Sequence, residues 1–435
     1  MTRGQLSVSV ARLSMSASLP PTPAPAAATS AVRAAPREIA LLLTLAAMQF
    51  THVVDFMILM PLGPQFMRLF GIDPQHFGFL VSAYTFAAAA SGFLAAFRID
   101  RYGRKRALLT MYAGFVVATA LCGFATNYPL LLAARGLAGL FGGVDGALVI
   151  TIVADVVPYA RRARGTALVS SAFSLAAVMG VPLGLWFANH YSWRAPFLVL
   201  AGVSVAVGAI AWRLLPALDA HVTHGPRLRP LAQMRAIFGV PNHLRAFAFV
   251  IALMMSVFTV VPFIAPYNVL NVGVAEPDLP IIYFAGGLTT LFTAQLIGWL
   301  ADRYGKRRLF IVLALASLVP LFVLTHLPRS TLAIAVGVAI VFFVFVPGRF
   351  GPAMALITGS VEPRLRGSFM SFNASVQQLA SAVASLFAGL VVGRAADGTL
   401  TRYGWVGFVA MGCTLVAIAL ALRIRVIPDG SGKVE

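Results

Sequence analysis

The sequence contains little charge and almost no cysteine. Only 11% of its 435 residues are Asp, Glu, Lys or Arg, and only 14 residues are acids. A soluble domain carries about 25% charged residues, so this composition excludes a soluble globule. Because 59% of the residues are apolar, a disordered chain is excluded as well. The two cysteines, Cys122 and Cys413, each lie in an apolar run, which excludes a disulfide-stabilised scaffold.

Signatures of catalysis and cofactor binding are also missing. The chain has no GxxxxGK[ST] phosphate loop, no HExxH, no paired Cys/His spacing and no GxSxG between a strand and a helix. No polar segment is long enough to form a separate catalytic domain, which a membrane enzyme or a non-transporting receptor would need. We therefore expect no cofactor, no metal site and no enzymatic activity.

Long apolar runs are what the sequence has instead. Each run is about 20 residues long, enough for a helix to cross the bilayer core. The strands of an outer-membrane barrel are about half that length and alternate strictly, and these runs do not. The sequence thus predicts an all-α membrane protein with twelve spans, at about 39–62, 77–97, 107–126, 130–153, 166–188, 195–215, 246–270, 280–300, 309–327, 331–357, 369–392 and 404–424.

Positive charge lies mainly on one side of these spans. If the N-terminal tail is inside, the inner segments carry 26 of the 33 Lys and Arg residues, and the outer loops carry five. This asymmetry predicts a multi-pass protein of the cell (inner) membrane with both termini in the cytoplasm. The net charge of +19 is therefore interpreted as a signal for topology and for contact with the lipid bilayer. We do not expect nucleic acid as a partner.

An internal repeat divides the chain into halves. The segment Asp100–Arg106 recurs as Asp302–Arg308 with its basic run conservatively changed, and Arg164–Gly165 recurs as Arg366–Gly367. Both recurrences have the same offset of 202 residues. A constant offset over separated motifs predicts two pseudo-symmetric six-helix bundles. The predicted organisation is a disordered cytoplasmic tail 1–37, an N-terminal bundle 38–215, a cytoplasmic linker 216–244, a C-terminal bundle 245–425 and a cytoplasmic tail 426–435.

The repeated loop resembles a known motif. Gly298–Arg307 matches the G-x-L-a-D-R-x-G-R/K-K/R loop of the major facilitator superfamily at every position. The first copy keeps the Asp, Arg, Gly and basic run, but has Ala96 and Arg98 where the motif has Gly and Leu. The resemblance covers about residues 38–425 and implies the family's two-bundle fold.

Further motifs point to one branch of that family. Ala134–Gly143 is similar to the R-x-x-x-G-x-x-x-G motif of helix 4, and Trp193–Phe197 is similar to W-R-x-x-F. Helix 5 carries Gly180, Pro182 and Gly184, which resemble the G-P-x-x-G element of antiporters. The resemblance implies a twelve-helix drug:proton antiporter that exports small molecules by alternating access. The small number of charges within the spans favours lipophilic substrates. The alternative is a sugar or metabolite efflux permease of the same fold; we expect a monomer in either case.

Four ionisable residues lie well inside predicted spans: Asp55, Arg135, Asp145 and Arg349. A charged side chain at that depth costs at least about 2.5–3.5 kcal/mol, so it usually faces a partner or a cavity. At 1.5 Å per residue, Asp55 lies about 22 Å above the inner end of helix 1 and Arg135 about 8 Å below the outer end of helix 4, so their depths coincide. The same arithmetic pairs Asp145 with Arg349 nearer the inside.

These residues are the candidates for proton coupling. A buried carboxylate gains or loses its proton as its hydration and its distance from an Arg change, so Asp55 or Asp145 could carry the coupled proton. Each pair could instead be a structural salt bridge. His52 lies one helical turn before Asp55 and could relay protons or simply be hydrogen-bonded. Gln49 shares this stripe and could bond a neighbouring helix.

The repeated loops form the second candidate site. The resemblance implies that the acid of each loop helps to hold the cytoplasmic side closed by contacting the N-terminus of another helix. The symmetry of the repeat places Asp302 near the start of helix 5. The alternative is a folding and topology signal only. The residues are Asp100, Arg101, Gly103 and Arg104 in the first loop and Asp302, Arg303, Gly305 and Lys306 in the second.

Overall fold

The structure is a computed structural model that describes residues 36–98, 102–216, 230–362 and 365–427. Within these residues, twelve helices are long and apolar enough to cross a membrane, which confirms the predicted number of spans. They are α1 Pro36–Ile58, α2 Pro74–Arg98, α3 Arg104–Phe124, α4 Tyr128–Val156, α5 Arg164–His190, α6 Ala195–Leu214, α7 Pro241–Val272, α8 Leu279–Tyr304, α9 Lys306–Thr325, α10 Leu332–Gly359, α11 Arg366–Val391 and α12 Tyr403–Arg423.

Short elements mark the two ends of the helical bundle. The helix Pro230–Phe238 lies within the predicted linker, and Phe238 stacks on Phe247 of α7 with 5.3 Å between ring centroids. We call this end the linker side. The opposite end, the distal side, holds the helix Gly63–Leu69 and an antiparallel pair of strands, β1 Gly393–Arg394 and β2 Leu400–Thr401.

The apolar core joins the halves on the distal side only. One large cluster there combines residues of α1–α6 with residues of α7–α12, among them Ile58, Phe77, Phe263 and Leu321. Towards the linker side the core divides into two clusters, one made by the N-terminal half and one by the C-terminal half. Because transmembrane helices are held together mainly by close van der Waals packing, the halves are held together distally and can separate more easily at the linker side.

Helices α2 and α11 join the halves along their length, because they pack together at both ends. Near the distal end, a Cβ added to Gly78 would lie 2.9 Å from Gly389 Cα, so both positions need glycine. Near the linker side, the rings of Phe93 and Phe372 meet edge to face with 5.7 Å between centroids. This helix pair is therefore a hinge-like contact between the halves, in addition to the shared distal core and to the contact of α5 with α8, where a Cβ at Gly287 would lie 2.6 Å from the Ala177 backbone oxygen.

Several spans are locally broken. In α5 a π-helical turn, Ala176–Gly180, precedes Pro182. In α10 the helix ends at Gly348, after Pro347, and restarts at Phe350. Proline removes a backbone donor and crowds the preceding turn, so each of these two breaks lies beside a proline that accounts for it.

A polar clasp links the halves across the distal surface. Both guanidinium Nη atoms of Arg68 donate to the two carboxylate oxygens of Glu276, and the Nη2–Oε2 distance is 3.0 Å. Gln65 donates to Asn189 Oδ1 at 3.0 Å, and Asn189 donates to the Glu276 carbonyl at 3.4 Å. The hydrogen bonds to Glu276 raise the pKa of Arg68, so the clasp keeps its positive partner charged.

We predict that charge reversal at either end of the clasp favours opening of the distal side. The Arg68 side chain is 63% exposed, and an exposed ion pair contributes about 0–1 kcal/mol. Arg68→Glu or Glu276→Arg alone should therefore shift the closed-to-open ratio by up to about fivefold. The double variant, with the charges exchanged, should restore the ratio. Distances between spin labels on the two distal ends, in a variant without Cys122 and Cys413, measure the shift.

Asp397→Arg serves as the matched control, because the hydrogen bonds that Asp397 accepts come from Thr399 in the same hairpin. It makes the same charge change without touching the clasp. If the exchanged pair opens as far as the single variants do, the clasp does not hold the halves together.

Candidate functional site

The predicted pairing of Asp55 with Arg135 is present in the structure. Arg135 Nη1 of α4 donates to Asp55 Oδ2 of α1 at 2.8 Å, and neither residue has any exposed surface. Thr119 of α3 donates to Asp55 Oδ1 at 3.2 Å. A buried pair of this kind tolerates its loss of hydration only because the two charges neutralise each other at short range.

Two aromatic residues extend this pair into a network. The Arg135 guanidinium carbon lies 4.6 Å from the centroid of the Tyr84 ring. The Tyr84 hydroxyl lies 2.7 Å from His52 Nε2, and the other ring nitrogen, His52 Nδ1, is buried without a partner among the described residues. The connected groups thus run from His52 through Tyr84 and Arg135 to Asp55, across α1, α2 and α4.

Asp145 is the most unusual group in this half. It is 3% exposed, and neither of its carboxylate oxygens has a hydrogen-bond partner in the described part of the chain. Gln49 lies nearby, since its Oε1 is 3.6 Å from where a Cβ at Gly146 would lie. An ionised carboxylate without a partner is strongly unfavourable in such surroundings, so the neutral, protonated acid is the form they tolerate.

The predicted pairing of Asp145 with Arg349 is wrong. Arg349 Nη1 donates to Ser317 Oγ of α9 and Thr414 Oγ1 of α12 at 3.0 Å each, and Nη2 donates to Ser256 Oγ of α7 at 2.7 Å. These hydroxyls belong to Arg349's own half. The depth calculation gives only a height along each helix, and depth does not fix the direction of a side chain around the helix axis. At the break after Pro347, Arg349 turns into its own bundle and away from Asp145.

The antiporter-like motif of α5 packs against the helix that carries Asp55. A Cβ at Gly180 would lie 2.2 Å from Val54 Cγ2, and one at Gly184 would lie 2.6 Å from Ile58 Cδ1. Both distances are shorter than any real contact. The two glycines and the kink at Pro182 therefore set how closely α5 approaches α1, one residue away from Asp55.

The first predicted gating loop is only partly described. Asp100 and Arg101 lie outside the described residues. Gly103 precedes the first residue of α3. Arg104 Nε donates to Asp155 Oδ2 at 3.2 Å, which ties the linker-side ends of α3 and α4 together.

The second loop lies at the linker-side end of α8. Gly305 has a φ of +88°, a left-handed value that glycine adopts without strain, and it forms the turn into α9. The Arg303 guanidinium lies over Trp299, 5.2 Å from the ring centroid. Asp302 is exposed and forms no hydrogen bond or ion pair with the described residues, so its predicted contact with the start of α5 is not formed in this conformation.

A crevice opens beside this loop. It has a volume of about 290 Å³ and runs between α8 and α10 on the linker side. Its walls are mostly small or apolar residues, with the hydroxyls of Thr290 and Thr293 at one end and Asp302 and Lys306 at the other. A Cβ added at Gly298 or Gly351 would meet nothing within 4 Å, which agrees with open space there.

Sequence reasoning missed several members of these clusters. Tyr84, Thr119 and the three hydroxyls around Arg349 were not predicted, because uncharged polar residues are common in membrane helices and carry no depth signal. The spacing of Arg135, Gly139 and Gly142 in α4 was the available sign that another side chain lies close to this helix.

Comparisons with known proteins agree with this architecture. The sequence profile of the Major Facilitator Superfamily matches residues 45–385 and 247–434. An uncharacterised MFS-type transporter of Bacillus subtilis, YceJ, is 24% identical over 395 residues, covering 89% of this chain and 96% of its own. A probable sugar efflux transporter of Helicobacter pylori is 24% identical over 241 residues, covering 55% of this chain and 60% of its own.

Solved structures show the same fold at low identity. A D-xylose-proton symporter superposes with a TM-score of 0.73 and 14% identity, covering 91% of this chain and 99% of its own. A bacterial homologue of the human lysosomal transporter Spinster superposes with a TM-score of 0.67 and 15% identity, covering 90% of this chain and 95% of its own. The chain belongs to the major facilitator superfamily and is a multi-pass membrane transporter with two six-helix bundles.

Proposed function

We propose that this protein is a proton-coupled exporter of small molecules that works by alternating access, with its proton-coupling residues in the N-terminal half. The observation that carries the proposal is the buried carboxyl group of Asp145, which has no partner in the described chain and lies in the same half as the network of Asp55, Arg135, Tyr84 and His52. A group kept in these surroundings at such cost is typical of a functional site.

The two acids take different parts in this proposal. Asp55 is neutralised by Arg135 at 2.8 Å, so it remains the fixed counter-ion of the pair. Asp145 has no cation beside it and holds a proton in the present conformation. In the cycle we propose, Asp145 takes up a proton from the outside while the distal side is open and carries it into the present conformation. When water or substrate entering from the linker side reaches Asp145, the carboxylic acid releases its proton to cytoplasmic water and becomes a carboxylate. The inward movement of the proton down its gradient is thereby coupled to the outward movement of substrate.

The direction of the protein in the membrane follows from its charge. We infer that the linker side faces the cytoplasm, because Lys and Arg concentrate there, and that both termini lie inside a cell (inner) membrane. In the present conformation the shared apolar core closes the distal side, while the crevice beside α8 opens at the linker side. This is the state from which an exporter would take its substrate.

The crevice also bears on the substrate class. Its volume of about 290 Å³ and its mainly apolar lining favour small, largely lipophilic molecules that offer one or two groups to the threonine hydroxyls. The alternative, a sugar or metabolite efflux permease, is favoured by the similarity to the Helicobacter pylori sugar efflux transporter. The name of the similar D-xylose-proton symporter lends support to proton coupling in either case. We propose a monomer as the working unit.

The coupling site is tested by Asp145→Asn and Asp55→Asn in reconstituted vesicles with an imposed pH gradient. A panel of lipophilic cations, neutral drugs and sugars supplies the substrates, and a pH-sensitive dye reports proton flux. Asp145→Asn resembles the protonated acid, so substrate exchange should continue while gradient-driven transport and proton flux fall to background. Asp55→Asn leaves Arg135 buried and unpaired, which should cost about 3–5 kcal/mol of stability.

Asp155→Asn is the matched control, since Asp155 is an exposed acid of the same helix α4 and pairs with Arg104. It should keep proton flux near the wild-type value. Full gradient-driven transport in Asp145→Asn would rule out Asp145 as the coupling site, and the same result in Asp55→Asn as well would rule out both acids.

A different outcome is expected at Arg349. Because its two Nη atoms donate to three hydroxyls of the C-terminal half, Arg349→Lys should lower the stability by about 1.5–3 kcal/mol per lost hydrogen bond. The number of protons moved per substrate should stay unchanged. Thermal unfolding in detergent measures the first effect and the vesicle assay the second. A folded Arg349→Lys that transports without proton flux would place the coupling in both halves.

We further propose that Asp302 belongs to a latch of the state that is closed at the linker side. Since Asp302 forms no hydrogen bond or ion pair with the described residues in the present conformation, Asp302→Asn should leave this state intact and destabilise the opposite one. A cysteine at Gly351, whose Cβ points into the open crevice, should then react faster with a water-soluble maleimide. A cysteine at Gly337 of the same helix, also without neighbours within 4 Å, is the control; an unchanged ratio of the two rates contradicts the latch.

A further inference from the structure

We propose that Tyr84 is a positioning residue that joins His52 to the Arg135–Asp55 pair, so that these four side chains respond to protonation as one unit. The inference rests on the proposed function, because the response it describes is the coupling of transport to protons. It assigns a specific role to a helix α2 residue that carries no charge.

Tyr84 contacts both ends of the unit with different parts of its side chain. Its ring lies against Arg135, 4.6 Å from the guanidinium carbon, which is the geometry of a cation–π contact. Its hydroxyl lies 2.7 Å from His52 Nε2. Tyr84 has no exposed surface, so both contacts are made without competition from bulk water and both are strengthened by the low local dielectric.

Helix α4 has glycine where Tyr84 needs room. A Cβ at Gly139 would lie 2.0 Å from the Tyr84 backbone oxygen. A Cβ at Gly142 would lie 2.7 Å from both the Tyr84 hydroxyl and His52 Nε2. Gly139 therefore lets α2 approach α4, and Gly142 leaves space for the hydrogen bond itself. The Arg135, Gly139, Gly142 spacing is thus explained by one neighbouring tyrosine.

Tyr84 also lies near the charged residues that are buried within the spans of the N-terminal half. It is close enough to Asp55, Arg135 and Asp145 to interact electrostatically with each of them. The other titratable groups near it are His52 on α1 and Cys122 on α3. Helix α11, which packs against α2 from the other half, presents the neutral Ser375 close to Gly92. Because Tyr84 contacts both His52 and Arg135, a change of charge at His52 acts on the side chain that lies against Arg135.

Tyr84→Phe separates the two contacts, because it keeps the ring against Arg135 and removes the hydroxyl from His52. In reconstituted vesicles we expect gradient-driven transport to fall about tenfold, within the range of coupling between linked sites, while substrate exchange without a gradient stays near wild type. Tyr84→Phe should also change the pH dependence of gradient-driven transport, and His52→Asn should change it in the same way. The double variant should be no worse than either single one, because both remove one hydrogen bond.

Tyr403→Phe is the matched control. Tyr403 is also fully buried, and its hydroxyl donates to the Val260 carbonyl at 2.9 Å in the other half. The same substitution there should lower stability without changing the pH profile. If Tyr84→Phe does not fold, His52→Asn tests the same hydrogen bond from its other end without altering α2.

The outcomes separate this inference from the proposed function. A pH profile that is unchanged in Tyr84→Phe and in His52→Asn, while Asp145→Asn loses proton flux, overturns the role of Tyr84 and leaves the coupling site standing. An additive loss in the double variant also contradicts it. If Asp145→Asn and Asp55→Asn both keep full proton flux, the proposed function itself fails.

Discussion

The cost of placing charge in a dry, apolar interior is the constraint on which this structure depends. Two acids and two arginines lie well inside the spans, and they are accommodated in three ways: Asp55 and Arg135 neutralise each other at 2.8 Å, Arg349 donates to three hydroxyls, and Asp145 has no partner in the described chain. Asp145 alone has neither a counter-ion nor a hydrogen bond among the described residues. The surroundings tolerate it only with a proton on the acid, which is why Asp145 is central to our proposal.

The uneven distribution of contacts between the halves explains how they can move relative to each other. A shared core and a polar clasp join them on the distal side, whereas each half has its own core towards the linker side. Helices α2 and α11 stay in contact at both ends. The N-terminal network lies on α1, α2 and α4 within one half, so the halves can rotate about the α2–α11 contact without breaking the Asp55–Arg135 pair. In our proposal, that rotation changes the access of water to Asp145.

Much of this could be predicted from the sequence, and the limits have a physical reason. The number of spans follows from the length of the apolar runs, and the pairing of Asp55 with Arg135 follows from the rise per residue of a helix. Both quantities can be calculated from positions along the sequence alone. The pairing of Asp145 with Arg349 fails because helix rise gives depth and not rotation, and because the break after Pro347 redirects Arg349. Tyr84 was not predictable, since its importance comes from contacts with three other helices. Asp302 was expected in a latch that this conformation does not form.

The central claim is that Asp145 carries a proton in the conformation closed at the distal side. Infrared difference spectroscopy of the purified protein tests it most directly, because a protonated carboxylic acid has a carbonyl band that a carboxylate lacks. We predict that this band is present at neutral pH, disappears in Asp145→Asn and remains in Asp55→Asn. A neutral-pH spectrum without the band, or one in which Asp145→Asn leaves it unchanged, would contradict the account.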